Sequence, residues 1–233
     1  MPVLILGTII LGLALSMLIY FFSNISEEFH YKKITENQKK ALQLIYDLAR
    51  AEIDFQEKCY VDQDNNGKGE FGLFQELSGF FPSRTEKIIT NPLVSKEIGK
   101  SAQQNSGIAK IDGYCFKLYL PSEEGSLNDK IFPIQSNSKN AKLQEKHFII
   151  YAWPEEYSTT GISIFCVNEF LNVIRAPNSI RKYSGASNAP NILAAFNKIE
   201  KSPFGKEFSC FLNFDLNKKC YSFDEENWEI VGH

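Results

Sequence analysis

The chain is 233 residues long and carries 25 Lys and Arg against 28 Asp and Glu, a formal net charge of -3. This acidic balance excludes a nucleic-acid-binding surface, because phosphate contacts need clustered basic residues. Nineteen Phe and ten Tyr supply bulk for a well-filled core. About 210 residues remain beyond the first segment, which is enough for one good-sized domain or two small ones.

That first segment is an uncharged apolar block, residues 3–22, with the sequence VLILGTIILGLALSMLIYFF. At about 1.5 Å rise per residue, a helix of this length spans the roughly 30 Å hydrocarbon core of a bilayer. Its aromatic end is typical of a membrane interface. A removed signal peptide would need a basic leading region and a small-residue cleavage site, and this sequence shows neither. The block therefore predicts an uncleaved single-pass anchor, residues 1–26. A removed signal and a buried core helix are the alternatives.

The orientation of this anchor receives opposing signals. The basic residues nearest the block all follow it: Lys32, Lys33, Lys39 and Lys40. The positive-inside rule alone would therefore place the domain in the cytoplasm. The five cysteines leave the question open, because their number is odd and they form no CxxC pair. Two of them, Cys210 and Cys220, flank a turn-rich stretch, and a disulfide between them would require an oxidising compartment.

An amphipathic helix is predicted to continue from the anchor over residues 27–56. Apolar residues recur there at three- and four-residue steps, at Ile34, Ala41, Leu42, Ile45, Leu48, Ala49 and Ile53. Charged side chains occupy the positions between them, which is typical of a helix with one buried face. Neither Pro nor Gly interrupts residues 13–66. The pattern favours one rod of about 50 residues, half in lipid and half packed on a domain. Two helices broken near Ser23 and Asn24 are the alternative.

Strand patterns follow in the middle of the chain. Residues 114–120 alternate between two faces, and Pro121 is expected to end that strand. Residues 147–153 are apolar on both faces, which suits a central strand. Residues 162–167 and 171–175 predict a hairpin that turns at Asn168 and Glu169.

The remaining segments predict short elements and loops. We expect a helix over 73–78 ended by Gly79, an irregular stretch over 80–110 with a helical turn near Lys96, a long loop over 122–146, a helix over 191–201, and a hairpin of 210–214 with 220–223. A long N-terminal helix laid on an antiparallel sheet is an α+β fold, with residues 27–233 as its domain.

The sharpest local pattern is DQDNNGKGE, residues 62–70. Oxygen-bearing side chains alternate before Gly67, as they do at the start of a calcium loop, where Gly permits the sharp turn. The candidate ligands are the side chains of Asp62, Asp64 and Asn66, the carbonyl of Lys68 and the carboxylate of Glu70. The twelfth position is Leu73 rather than Glu, so the loop is not an EF-hand. A solvated Asp/Asn/Gly turn without metal is the alternative.

Patterns typical of an active site are absent from the sequence. It contains no P-loop, no GxGxxG, no GxSxG and no HExxH. A pair between Cys166 and His147 on neighbouring strands is conceivable, but a buried thiol acting as a small apolar side chain is favoured. We therefore expect a protein that is not an enzyme.

Several stretches in fixed order resemble a family of pilin-like or pseudopilin-like proteins, of the type II secretion class, common in planctomycetes and relatives. They are FQEKCYVDQDNNGKGEFGLFQELSG (55–79), GYCFKLYLP (113–121), YAWPEEYSTTGISIFCVNE (151–169), APN (176–178) and YSGASNAP (183–190). The final residues 228–231 are similar to the family's ending. The resemblance covers about residues 40–195.

The resemblance implies a pilin fold, with the N-terminal helix half in the inner membrane and the domain exported. It implies a non-enzymatic subunit of a secretion or pilus-type envelope assembly, whose partners are the membrane and like subunits or other envelope proteins. Calcium loops occur in such proteins, which supports the ligand set in 62–70. The usual prepilin signature, with Glu at the fifth mature position, has no counterpart here. Its absence favours the alternative, a monomeric membrane-anchored binding domain that does not polymerise.

Overall fold

The computed structural model describes residues 2–87, 89–122, 125–127, 138–196 and 222–231, with side chains from Ser16 onward apart from positions 19, 125–127, 138 and 139. The helices of this part are α1 (Pro2–Glu57), α2 (Phe74–Leu77), α3 (Lys96–Gln104) and α4 (Ser138–Gln144). The strands are β1 (Ile108–Ile111), β2 (Tyr114–Ser122), β3 (Gly125–Leu127), β4 (Ile149–Pro154), β5 (Ile164–Asn168), β6 (Ile174–Ala176) and β7 (Glu229–Ile230).

Helix α1 is one continuous rod of 56 residues. The prediction of a single helix is confirmed, and the break near Ser23 and Asn24 is not present. Its second half buries the expected apolar stripe, with Ile45 and Leu48 fully buried. Within the residues that the structure describes, no helix meets the length and hydropathy needed for a membrane span.

The strands form one antiparallel sheet in the order β1-β2-β4-β5-β6-β7, and β3 pairs with β2 off this path. The register places Phe116 of β2 opposite Ala152 of β4, which lies opposite Phe165 of β5. All six residues of β4 are buried, as predicted for a central strand. Since a long helix packs on an antiparallel sheet, the α+β prediction is confirmed.

Apolar side chains cover both faces of the sheet. Phe116, Leu118 and Ile150 face the cluster that α1 fills with Ile45 and Leu48. The opposite face buries a second cluster, which includes Tyr119, Tyr151, Trp153, Cys166, Phe196 and Trp228. The alternation read from β2 is therefore confirmed, because its successive side chains enter different clusters.

Polar contacts from the β4–β5 loop hold it to the middle of α1. Asn37 Nδ2 donates to the Thr160 carbonyl at 3.0 Å, and the Ile162 N–H donates to Gln38 Oε1 at 3.0 Å. The loop therefore fixes where along the rod the sheet sits.

The sequence predicted that Pro121 ends strand β2, but the strand continues to Ser122. Its pairing with β4 ends at Tyr119 and Ile149, whereas β3 pairs with Leu120, Pro121 and Ser122. Proline lacks an N–H, and the absence costs little where a strand has a partner on one side only. The expected ending was wrong because the proline lies beyond the doubly paired part of the strand.

The long loop predicted for residues 122–146 contains both β3 and α4, so that prediction was wrong for the described residues. The expected helical turn near Lys96 is the nine-residue helix α3, begun by Ser95, whose hydroxyl accepts from the Glu97 N–H at 3.2 Å. Residues 192–195 form turns rather than the start of a helix. The rest of the 191–201 segment and most of the 210–223 hairpin lie outside the described residues.

The C-terminal segment is held by two buried carboxylates. Glu226 accepts three backbone N–H groups, of Ser179, Ile180 and Arg181, at 2.6–3.1 Å. Asp224 Oδ1 accepts from the Ser222 hydroxyl at 2.7 Å and the Trp228 ring nitrogen at 3.1 Å. Burial raises the pKa of Asp224, although these hydrogen bonds oppose the rise.

We expect Asp224→Asn to flatten the pH dependence of stability. Because the pKa of Asp224 is raised in the folded state, its contribution is fully present below the unfolded value near 3.9 and is lost as pH rises through the folded value. Asn resembles the protonated carboxyl and stays neutral. Urea unfolding of the full chain between pH 4 and pH 8 measures the slope. Asp47→Asn, at an exposed position, is the matched control and leaves the slope unchanged. Equal slopes in wild type and Asp224→Asn would contradict the expectation.

Candidate metal centre

The acidic loop begins where α1 ends and returns at once to the helix terminus. Cys59, just past the helix, adopts a positive φ of 50°. Gly69 brings the returning chain against the last turn of α1, where a Cβ atom would lie 2.0 Å from the Gln56 carbonyl oxygen. Only glycine allows this approach, so the sequence anchors the loop to the end of the rod.

Three of the predicted ligands converge in the loop. Carboxylate oxygens of Asp62, Asp64 and Glu70 all lie within 4.8 Å of one another. The two aspartates are half-buried and Glu70 is buried. This arrangement of hard oxygen donors is suited to a divalent cation such as calcium.

Backbone N–H groups hold the Asp62 carboxylate in place. The Asn66 N–H donates to Asp62 Oδ1 at 3.1 Å, and the Gly67 N–H donates to Oδ2 at 3.0 Å. Gly67 has a φ of 81°, which favours glycine. Since a carboxylate oxygen accepts more than one contact, these bonds orient Asp62 and leave it capacity for a metal.

Glu70 is the most unusual member of the cluster. Its Oε1 accepts the Gln63 N–H at 2.8 Å, but Oε2 is buried and has no hydrogen-bond partner within the described part of the chain. Burial raises the pKa of Glu70, and the nearby Asp62 and Asp64 act in the same direction. A buried oxygen without a partner is costly, and a bound cation is one way to satisfy it.

The other two predicted ligands lie in the same turn. Asn66 Oδ1 accepts the Lys68 N–H at 2.8 Å, and Asn66 Nδ2 donates to Asp64 Oδ2 at 3.0 Å. Asn66 and Lys68 are both exposed. Leu73, at the twelfth position of the pattern, is fully buried.

Buried polar residues that the sequence analysis missed form hydrogen bonds that hold the loop in place. The Arg84 guanidinium donates to Glu76 Oε1 at 3.1 Å, to Gln144 Oε1 and to the Phe71 carbonyl. Gln144 Oε1 also accepts from Gln63 Nε2 at 3.1 Å, inside the acidic loop. These contacts span up to 81 positions, so no local spacing in the sequence reveals them.

Cys166 and His147, the conceivable reactive pair in the sequence, have different surroundings in the structure. Cys166 is fully buried, and burial raises its thiol pKa. His147 Nδ1 instead contacts Glu169 Oε1 at 2.7 Å. Burial also raises the pKa of Cys115 to about 12, so this thiol stays protonated at neutral pH. Cys59, Cys115 and Cys166 are free, and Cys210 and Cys220 lie outside the described residues.

A separate groove of about 340 Å³ runs between α1, α3 and the turn joining β1 to β2. Its apolar floor comes from Leu44, Ile98, Ile111 and Phe116. Its rim carries charged residues, including Lys40 and Asp112, whose side chains approach to 3.6 Å.

Comparisons of the chain with protein-family models, curated proteins and solved structures find no match. The resemblance to pilin-like proteins therefore stays a prediction.

We expect Arg84→Met to lower the free energy of unfolding by about 3–5 kcal/mol, because it leaves the Glu76 carboxylate buried without its cation. Denaturant unfolding of the full chain in detergent measures the change. The matched control is Arg175→Met, which removes an exposed pair with Glu229 and should cost at most about 1 kcal/mol. Equal losses in the two variants would show that burial of the pair does not decide its contribution.

Proposed function

We propose that this protein is a non-enzymatic, pilin-like subunit of a secretion or pilus-type envelope assembly. In this proposal residues 1–26 anchor it in the inner membrane and residues 27–233 form an extracytoplasmic domain. The single observation that carries the proposal is the division of α1 into two halves. Residues from Ile34 onward pack on the sheet, whereas the described side chains before Ile34 are exposed apart from the half-buried Ile25. In this segment a His30 ring nitrogen contacts the Ser158 carbonyl at 2.8 Å.

The exposed half of α1 is rich in large apolar side chains. Seven of them are 54–71% exposed: Met17, Leu18, Tyr20, Phe21, Phe22, Phe29 and Tyr31. So many large apolar side chains exposed on one helix are unusual on a soluble monomer and mark a membrane or protein contact. At about 25 cal/mol per Å², covering it is strongly favourable. A bilayer around the first part of the helix and a neighbouring subunit around Phe29 and Tyr31 would both supply cover.

The apolar stripe of Ile34–Ile53 is not the surface for contact with like subunits. Ile45, Leu48 and Ala49 of this stripe are buried against the chain's own sheet. The face of α1 that remains exposed over this range is polar, with Lys39, Gln43 and Arg50. Contacts between subunits are therefore assigned to the segment before Ile34.

The groove between α1 and α3 favours a second candidate, a monomeric membrane-anchored binding domain. Its apolar floor with a charged rim is typical of a site for a small amphipathic ligand or a peptide side chain. The missing acidic residue in the apolar block points the same way. In both candidates the domain is anchored and performs no catalysis.

Photo-crosslinking in native membranes separates the two candidates. We expect a benzophenone side chain at position 29 to give a ladder of like subunits, since Phe29 is exposed and apolar. The same probe at Asp54, on the exposed polar face of α1, is the matched control and should give no ladder. Monomer or a foreign partner alone at position 29 would support the binding domain. Release of the chain by a carbonate wash would contradict the anchor.

We propose further that the loop of residues 62–70 binds calcium as a structural ion. The converging carboxylates of Asp62, Asp64 and Glu70 and the buried Oε2 of Glu70 support this. Asn66 and the Lys68 carbonyl complete the proposed ligand set. Calcium accepts six to eight oxygens in flexible geometry, whereas magnesium demands a stricter octahedron and keeps its waters. Zinc is disfavoured because the cluster consists of oxygen donors.

Calcium should raise the melting temperature of the full chain by roughly 5–10 °C at a hundredfold excess over the dissociation constant, which corresponds to about 2.7 kcal/mol. Asp62→Ala and Asp64→Ala should remove the shift. Asp47→Ala, which removes an exposed carboxylate on α1, is the matched control and keeps it. Thermal melting in chelator and in about 10–100 mM calcium, a hundredfold excess over the dissociation constants typical of extracellular modules, measures the effect. An unchanged melting temperature for the wild type would show that the loop is only a turn.

A further inference from the structure

Glu145 brings a fourth carboxylate to the acidic loop from a distant part of the chain. It follows directly after α4, and its Oε1 accepts from Asn66 Nδ2 at 2.7 Å. Its backbone carbonyl accepts from Gln56 Nε2, near the end of α1. Glu145 therefore touches both the loop and the helix terminus on which the loop is anchored.

The contact with Glu145 fixes the orientation of the Asn66 amide. A carboxylate only accepts hydrogen bonds, so Glu145 and Asp64 both require the NH₂ end of this amide. The carbonyl end then faces the Lys68 N–H, which donates to Oδ1 at 2.8 Å. An amide oxygen has two lone pairs, so Oδ1 keeps one for a cation.

We propose that Glu145 is a positioning residue that couples α4 to calcium binding by holding Asn66 with its carbonyl oxygen ready to ligate the metal. This inference rests on the proposed calcium site of Asp62, Asp64 and Glu70. Partners that orient a metal ligand typically contribute 10- to 100-fold to metal affinity. The negative charge of Glu145 also favours a cation nearby, but the orienting contact is the main effect.

The coupling extends to the backbone that joins α4 to β4. Gln144, the neighbour of Glu145, accepts the Phe71 N–H at 2.9 Å through its carbonyl and the Gln63 amide at 3.1 Å through its side chain. Two consecutive residues thus attach the end of α4 to the two sides of the loop. A loop made rigid by calcium should therefore slow hydrogen exchange over residues 140–147.

A double-mutant cycle tests the inference. Calcium titrations of the full chain in detergent would compare wild type with Glu145→Ala, Asn66→Ala and the double variant. We expect Glu145→Ala to weaken calcium binding about tenfold or more and to have no further effect when Asn66 is already alanine. Glu145→Gln, which keeps an acceptor oxygen, should lose less calcium affinity than Glu145→Ala. Glu156→Ala removes an exposed carboxylate outside the loop and should bind as wild type does.

The outcomes separate this inference from the calcium site itself. If the wild type does not bind calcium, both fall. If the wild type binds calcium and Glu145→Ala binds it equally well, only the role of Glu145 falls. The same holds if Glu145→Ala lowers the calcium affinity by the same factor in the Asn66→Ala background as in wild type. Hydrogen exchange gives an independent readout: calcium should protect residues 140–147 in wild type but not in Glu145→Ala, and equal protection would overturn the coupling. Glu145 is half-exposed, so its replacement leaves the core unchanged.

Discussion

The buried guanidinium of Arg84 makes the contacts on which the end of the domain that carries the acidic loop depends. It carries a charge in a place with almost no contact with solvent, and such a charge is tolerated only when it is paired and hydrogen-bonded. Glu76 supplies the opposite charge from α2, Phe71 supplies a carbonyl, and Gln144 supplies an amide oxygen from α4. One side chain therefore joins nearby positions 71 and 76 to α4, which lies 60 positions further along the chain.

The same network leaves part of the cost of burying Glu70 without compensation. The charge of Arg84 lowers the pKa of Glu70, but burial raises it by more. Arg84 is already engaged by Glu76, so it offsets only part of the cost of burying a second carboxylate. A divalent ion held jointly with Asp62 and Asp64 would supply the missing positive charge at the surface side of the loop. The fold thus supplies one positive charge internally, that of Arg84.

How much of this the sequence predicts depends on how local each feature is. The α1 stripe and the alternation of β2 are repeats of neighbouring residues, and both were read correctly. The short strands β1, β3 and β7 were missed, because a strand of two to four residues has little periodicity and is defined by its partner. Helix α4, with the sequence SKNAKLQ, carries too few apolar residues to show a stripe.

In the candidate site, too, the local features can be predicted from the sequence and the tertiary contacts cannot. The spacing of Asp62 and Asp64 before Gly67 indicates a ligand turn because a loop of this kind is built from consecutive residues. The spacing alone makes Glu70 a candidate ligand, and nothing in the sequence indicates that it is buried. Glu145 and Arg84 reach the site through tertiary contacts, which a single sequence does not encode as a pattern.

The two proposed functional regions lie at opposite ends of one rod. The exposed apolar segment ends near Tyr31, and the acidic loop is anchored at Gln56 by the close approach of Gly69. At about 1.5 Å per residue the helix between them is roughly 40 Å long. In the proposed topology, an ion at the far end would lie well outside the bilayer that holds the first end, in contact with the extracytoplasmic medium. Calcium sites in extracellular modules typically have dissociation constants of about 10⁻⁴–10⁻³ M. A loop with three carboxylates, two of them half-exposed, suits that range, and it would be filled after export rather than before it.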